Sequence, residues 1–194
     1  MPQAQATTPS VFTTHEPNWQ MGDWTPADVM KTKQYDFLEI PRPVAFETRD
    51  HLAGATLGSA RAAVNEHNAM QHAHALYQNL GIDDGRLVAD AAALVRLFQQ
   101  SFTRKPVNLR IDVCNQTTCP KFHYDHRMIR LVTTYTGPAT QYVVGDQTQR
   151  PRDSDPWALL LFKGSAHPTF GYNVYHRSPA MLPGQRRLCL VIDY

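Results

Sequence analysis

The segment Cys119-Pro120-Lys121-Phe122-His123-Tyr124-Asp125-His126 sets an imidazole and a carboxylate two residues apart. On an extended strand successive side chains alternate, so His123 and Asp125 share a face and can converge on one metal ion. Two ligands do not make a site. His176, at the end of the strand candidate Gly171-Tyr172-Asn173-Val174-Tyr175-His176, supplies a third if the sheet closes. Two histidines and one carboxylate on one side of a metal leave the opposite positions open, which is the arrangement used by non-haem Fe(II) oxygenases. His-x-Asp alone is a short pattern that chance supplies in many chains. The weight therefore falls on His176 and on the residues C-terminal to it.

Other constellations compete. Cys114-x4-Cys119-x3-His123 offers thiolates and an imidazole, which suit structural zinc, but lacks a tight Cys-x2-Cys pair and a fourth ligand. A non-enzymatic zinc protein would instead use Cys119, His123 and His176. His67, His72 and His74 fall on one helix candidate; His67 and His74 share a face, and a solvated helix surface accounts for them. Taken singly, His123 reads as a satisfied strand histidine, Asp125 as a turn former, His176 as a loop cap, and Arg186 beside Arg187 as a basic strand end. Phe170, Tyr172 and Tyr175 line either a substrate pocket or the barrel core.

The elements that must position these residues divide at Pro106. Residues 1–23 mix Thr, Pro and Gln without a period and read as an extended arm, with Trp19 and Trp24 as its anchors. Thr25-Pro26-Ala27-Asp28 is a helix start, ended by Ile40-Pro41-Arg42-Pro43. Residues 57–80 lack Pro and close on Gly81, which predicts a helix. Leu87, Val88, Ala91, Ala92, Leu94, Val95, Leu97, Phe98 and Phe102 give a second helix one broad apolar face. From Val107 the period becomes two, and strands are predicted at 107–114, 120–125, 128–135, 139–144, 157–163, 166–170, 172–177 and 186–193, with a long polar loop at 145–156. The expectation is one α+β domain over 1–194, with helical support at 24–106. About eight short antiparallel strands at 107–194 would form a sandwich or jelly-roll barrel on which the helices pack.

Composition narrows the class. The 194 residues carry 19 Lys+Arg against 17 Asp+Glu, a formal net charge of +2, with no basic block, so charge does not point to nucleic acid. No apolar run is long enough to span a bilayer, and the start has neither a basic nor an apolar leader region, so the expectation is a soluble, cytoplasmic protein. Three cysteines are an odd number, which argues against a secreted disulfide framework.

Gly184 and Arg186 follow His176 by eight and ten residues, and Arg186 opens the final apolar strand Leu188-Cys189-Leu190-Val191-Ile192. Here the chain resembles the Fe(II)/2-oxoglutarate dioxygenases, in particular their prolyl-hydroxylase-like branch; His123, Asp125, His176 and Arg186 match that pattern in type, order and spacing. Arg130-Leu131-Val132-Thr133 looks like the family's Arg-x-x-Thr strand, and Trp157-Ala158-Leu159-Leu160-Leu161-Phe162 like the strand before the distal ligand. The resemblance implies that residues 107–194 form a double-stranded β-helix, a cupin-like barrel carrying the metal site, with Fe(II) held by His123, Asp125 and His176, which would also be the catalytic residues, and 2-oxoglutarate and O2 as cosubstrates. It implies Arg186 on the distal carboxylate of 2-oxoglutarate, with Arg187 the other candidate because strand parity is uncertain by one residue. The tyrosine that often helps hold 2-oxoglutarate aligns near Gly137, so Tyr135 or Thr133 would substitute, with Arg130 close by. The substrate would be a small or amino-acid-like molecule that is hydroxylated or desaturated; a carboxylate at Asp125 fills the place a halide would need. An alternative keeps the ligands but drops 2-oxoglutarate: an iron or copper enzyme in which Arg130, Arg186 or Arg187 binds an acidic substrate directly.

Residues 114–194 also look like a bacterial family of uncharacterised proteins known only as a domain of unknown function. The segments Cys-Pro-x-Phe-His-x-Asp, Thr-Tyr-x-Gly-Pro, Phe-Lys-Gly and His-Arg-Ser-Pro carry this second resemblance, which implies a link to metal homeostasis and no reaction.

Overall fold

In the computed structural model residues 25–48, 52–146 and 150–194 are described; the arm expected at 1–23 and its anchors Trp19 and Trp24 lie outside them. Helix α1, Pro26–Lys31, begins where its sequence dictates. The Thr25 hydroxyl accepts from the Asp28 amide at 3.2 Å, and the Asp28 carboxylate accepts from the Thr25 amide at 3.1 Å. Strand β1, Phe37–Ile40, follows, then β2, Gly58–Val64, α2, Ala69–Asn79, and α3, Gly85–Phe102. The remaining strands are β3, Val107–Cys114; β4, Ile129–Thr136; β5, Gln141–Val144; β6, Arg152–Asp153; β7, Leu159–Lys163; β8, Val174–Arg177; and β9, Arg187–Asp193.

These make two antiparallel sheets, the larger ordered β1-β7-β4-β9-β3-β2 and the smaller β6-β5-β8. Helices α2 and α3 cover the outer face of the larger sheet. Leu87, Leu94, Val95 and Phe98 of α3 and Tyr77 of α2 meet Leu109, Ile111, Leu131, Leu190 and Ile192 there. Each large apolar side chain buried in this way stabilises the fold by about 1.5–3 kcal/mol. The opposite face of the same sheet looks into the barrel. Its β1, β7 and β4 side is apolar, through Phe37, Leu160, Phe162 and Val132, and packs against Tyr142 and Val174 of the smaller sheet.

Three expectations are corrected. Residues 57–80 are not one helix, since 58–64 form β2. The Ala-rich stretch has helix propensity, but its ladder with β3, from Gly58↔Val113 to Val64↔Val107, satisfies the backbone and overrides that preference. The helical part does end as expected, at Gly81 with φ +68°, where the Gly81 and Ile82 amides donate to the Gln78 and Tyr77 carbonyls, each at 2.9 Å. Secondly, 107–194 do not build the barrel alone, because the edge strands β1 and β2 come from the segment read as helical support. Thirdly, 120–125 contribute a single bridge rather than a strand, 166–170 form none, and the 145–156 loop contains β6. No helix among the described residues is long and apolar enough to cross a membrane.

A buried ion pair locks the chain after β1 to α3. Arg42 donates to both Asp90 oxygens at 2.6 and 3.2 Å and to the Trp157 carbonyl at 3.0 Å, while the Tyr135 hydroxyl donates to Asp90 at 2.6 Å. Burial, and then the Asp90 charge, pushes the Tyr135 phenol well above its ordinary value. The Arg42 and Asp90 side chains are 10% and 14% exposed, so removing either leaves the other desolvated and unpaired. Asp90→Ala should lower the unfolding free energy by about 3–5 kcal/mol in urea denaturation, whereas Lys31→Ala, at the exposed Lys31–Asp28 pair, should cost about 1 kcal/mol or less.

Candidate metal centre

His176 lies on β8, paired with Tyr142 of β5, and its backbone also forms a reciprocal bridge with His123. The His123 amide donates to the His176 carbonyl at 3.0 Å and the His176 amide to the His123 carbonyl at 2.9 Å. Paired residues put their side chains on one face, and the two imidazoles lie 4.6 Å apart between centroids, with Phe162 packed 4.4 Å from His176. The loop entering β8 is held by Asp36, whose carboxylate accepts from the Gly171 and Asn173 amides at 2.9 and 3.0 Å. Asp125 follows His123 into a turn fastened by the Ser165 amide, which donates to the Asp125 carbonyl at 2.8 Å. His123, Asp125 and His176 thus converge, with one ligand atom of each within 4.8 Å of the others.

The donor set fits a metal. His123 Nδ1 lies 3.0 Å from the Lys121 carbonyl, which can only accept, so Nδ1 carries the proton and Nε2 presents a lone pair 3.9 Å from Asp125 Oδ1. Asp125 Oδ1 accepts from Arg130. Its Oδ2 is buried and accepts no aligned hydrogen bond, although His176 Nε2 stands 3.2 Å away. A buried carboxylate oxygen with an unused lone pair beside the His176 nitrogen, with the His123 nitrogen near the other oxygen, is costly unless a cation joins them. Burial pushes the Asp125 carboxyl up, but His176, Arg130 and His123 outweigh it and hold the group below the ordinary range. Burial pushes His176 down against the opposing pull of Asp125. At neutral pH Asp125 is therefore charged and His176 neutral, the forms that ligate.

The arginines separate by role. Arg130 is bound at both ends, to Asp125 and, through Nε and Nη2, to Asp193 Oδ2 at 3.1 and 2.6 Å; it orients the ligand carboxylate and is not free for a cosubstrate. Arg186 is directed away from the cavity and donates to the Leu52 and Ala55 carbonyls. Arg187 is the one inside. It is 5% exposed, donates to the Pro138 carbonyl at 3.0 Å and to the Thr134 and Thr140 hydroxyls at 3.1 and 2.8 Å, and lines the same cavity as His123, Arg130 and His176. Among the described residues no carboxylate pairs with it.

The parity of the final strand, open in the sequence, thus favours Arg187 over Arg186. Thr133 and Tyr135 are corrected too: they face the helices, where Thr133 donates to the Trp157 carbonyl and Tyr135 to Asp90. Both β4 and β9 are buried on their two faces, so neither shows an alternation that fixes which residues point inward. The cysteines are not brought together with His123 as a ligand group among the described residues, although Cys119 and Cys189 line the cavity. Sequence reasoning missed Arg110, Thr134 and Thr140. The clean alternation of β3 places Arg110 opposite the helix-facing Leu109 and Ile111, a signal that could have found it.

Two glycines let backbone approach where the site needs it. A Cβ on Gly164 would meet the Arg127 and Asp125 carbonyl oxygens at 2.2 and 2.6 Å, so only glycine lets β7 pass behind the Asp125 turn. Gly137, at φ +87°, lies against Arg186 and Arg187, where a Cβ would come within 2.2 Å of the Arg186 carbonyl oxygen.

Fold and ligands together define a double-stranded β-helix protein with a candidate two-histidine, one-carboxylate centre. The chain belongs to the DUF1826 family, described as a protein of unknown function, which matches residues 45–193. Nothing among curated proteins matches it. Among solved structures it is similar to the dioxygenase for auxin oxidation of rice, with a TM-score of 0.52 and 11% identity over 86% of this chain and 76% of that one. It is also similar to a 2OG-Fe(II) oxygenase family oxidoreductase from Burkholderia pseudomallei (TM-score 0.45, 16% identity, 93% and 95% covered). A third is the Arabidopsis thaliana dioxygenase for auxin oxidation 1 in binary complex with 2-oxoglutarate (TM-score 0.44, 16% identity, 78% and 71% covered). The rice likeness establishes the fold expected from the sequence.

Gly164→Ala tests how tightly the Asp125 turn is seated. The overpacking should cost about 1–3 kcal/mol in denaturant unfolding and weaken Fe(II) binding measured by anaerobic titration, whereas Gly145→Ala, whose Cβ meets nothing within 4 Å, should leave Fe(II) binding unchanged.

Proposed function

We propose that the protein is a mononuclear non-haem iron oxygenase that uses 2-oxoglutarate and O2 to hydroxylate or desaturate a small-molecule substrate. The observation that carries this reading is Arg187, a buried cation that no described carboxylate pairs, in the cavity that His123 and His176 also line. His123, Asp125 and His176 would hold Fe(II), which when bound supplies the redox chemistry that couples decarboxylation of 2-oxoglutarate to oxidation of the substrate. Arg187 would bind the far carboxylate of 2-oxoglutarate. In a desolvated cavity an unpaired carboxylate and an unpaired guanidinium are each costly, and a bidentate pair offsets both. The Thr134 and Thr140 hydroxyls, with the Pro138 carbonyl, fix the guanidinium plane, so little rotamer freedom remains to be lost on binding. Arg130 keeps Asp125 ionised and aimed, and the apolar wall of Phe162, Val132 and Val191 limits water beside His176.

Purified without oxygen, the protein should take up about one Fe(II) per chain, and 2-oxoglutarate should then produce a visible metal-to-ligand charge-transfer band. His123→Ala or His176→Ala should abolish tight iron binding while Cys119→Ser leaves it intact; loss through the cysteine change alone would establish the zinc reading instead. Arg187→Gln should weaken 2-oxoglutarate binding by about 2 kcal/mol or more with iron occupancy unchanged, and Arg186→Gln should not. An iron-loaded protein that gives neither the band nor succinate contradicts the use of 2-oxoglutarate and leaves the cosubstrate-independent oxygenase.

A further inference from the structure

The cavity carries more positive charge than binding 2-oxoglutarate would use. Arg130 is neutralised by Asp125 and Asp193, and Arg187 is assigned to the cosubstrate. Arg110 remains. It projects from the middle of β3 onto the barrel-facing side of the sheet and lines the same cavity as His123 and His176. Its Nε stands 3.0 Å from Asp112 Oδ2 without an aligned hydrogen bond, and its terminal nitrogens donate to no described residue.

Directly across the ladder stands a second arginine. Arg61 of β2 is the register partner of Arg110, so both side chains stand on one face, and Arg61 is exposed there because β2 is the sheet edge. Like charges opposite one another destabilise a sheet, and Asp112 is one carboxylate beside two guanidiniums. A third cation, Arg177, sits at the cavity rim with its guanidinium 4.3 Å over the Phe122 ring and its Nε on Gln141 at 2.9 Å; no described carboxylate pairs with it. An oxyanion placed between Arg110 and Arg61 turns their repulsion into two attractions, and the unbonded fork of Arg110 matches a carboxylate or phosphate edge.

We propose that the molecule oxidised in this cavity is an acid whose oxyanion, carboxylate or phosphate, is gripped by Arg110 with Arg61 beside it. This rests on the oxygenase reading of the same cavity and supplies its substrate class. The arginine pair lies on the open β2–β3 side, away from the apolar wall that backs His176, so the acidic end marks the entrance and the remainder of the molecule extends toward the ligand cluster. A cleft lined by four arginines against one aspartate also concentrates anions, so binding weakens as salt rises.

The test is calorimetric titration of the iron-loaded anaerobic protein, saturated with 2-oxoglutarate so that Arg187 is filled, using inorganic phosphate and phenylacetate as separate probes. At least one should bind saturably at one site per chain, and whichever binds separates phosphate from carboxylate. Arg110→Gln should weaken it about tenfold or more, Arg110→Lys by less, and Arg61→Gln several-fold. The bound probe should raise the thermal midpoint of the wild-type protein and not that of Arg110→Gln, which by itself should unfold no earlier because it relieves the arginine repulsion. Equal affinity for wild type and Arg110→Gln, or no saturable binding of either probe, overturns the proposal. The same titration without iron and 2-oxoglutarate keeps the two readings apart. Arg110-dependent binding there, in a protein that never takes up 2-oxoglutarate, retains the oxyanion site and removes the oxygenase; 2-oxoglutarate uptake with no Arg110-dependent probe does the reverse.

Discussion

A carboxylate drawn out of water must be paired or it takes up a proton, and the arrangement of this barrel interior follows from keeping Asp125 charged. Arg130 meets one oxygen, which His123 Nε2 also approaches at 3.9 Å, and His176 Nε2 stands 3.2 Å from the other. Arg130 is itself fixed by Asp193, its register partner on β9, so the ion-pair chain is also a staple between adjacent strands. Behind Asp125 the chain turns so closely past Gly164 that its carbonyl is gripped by Ser165, and in front of it the loop tied to Asp36 delivers β8 and His176. The Phe-Lys-Gly segment gathers three of these duties in succession. Phe162 packs on His176, the buried Lys163 ammonium faces Asp36 and donates to the Thr32 carbonyl at 2.5 Å, and Gly164 admits the turn.

The larger sheet divides its labour by face. Its outer face is continuous hydrocarbon under α2 and α3, and that burial supplies most of the drive to fold. Its inner face is apolar only where the smaller sheet covers it. Toward β9, β3 and β2 it carries, beside Cys189, the charged Arg187, Arg110 and Asp112, types that are seldom buried unless paired. Arg186 and Arg187, adjacent in the chain, fall on opposite sides of this division: one braces the 52–55 loop, the other enters the cavity.

The residue types of the candidate site are legible in the sequence because they obey short rules: His-x-Asp on extended chain, a distant strand histidine, and a basic residue on the last strand. The helix caps at Thr25 and Gly81 are legible for the same reason, each being a local hydrogen-bond pattern. The features that escape are decided at long range. The Ala-rich segment 58–64 is a strand because β3 offers it a ladder, which its own composition does not announce. Thr133 and Tyr135 stand in the sequence as cavity residues in place of Thr134, and Arg187 cannot be separated there from Arg186, because strands buried on both faces lose the alternation that reports parity. A register shift between Thr134 and Thr136 blurs the count further.

The convergence of His123, Asp125 and His176 on one ion is the central claim, and X-ray absorption at the iron edge of the anaerobically loaded protein tests it most directly. The predicted first shell holds nitrogen and oxygen scatterers only, with outer-ring scattering that fits two imidazoles. A sulfur scatterer at about 2.3 Å, the distance of a metal–thiolate bond, would place Cys119 or another cysteine on the metal and contradict it.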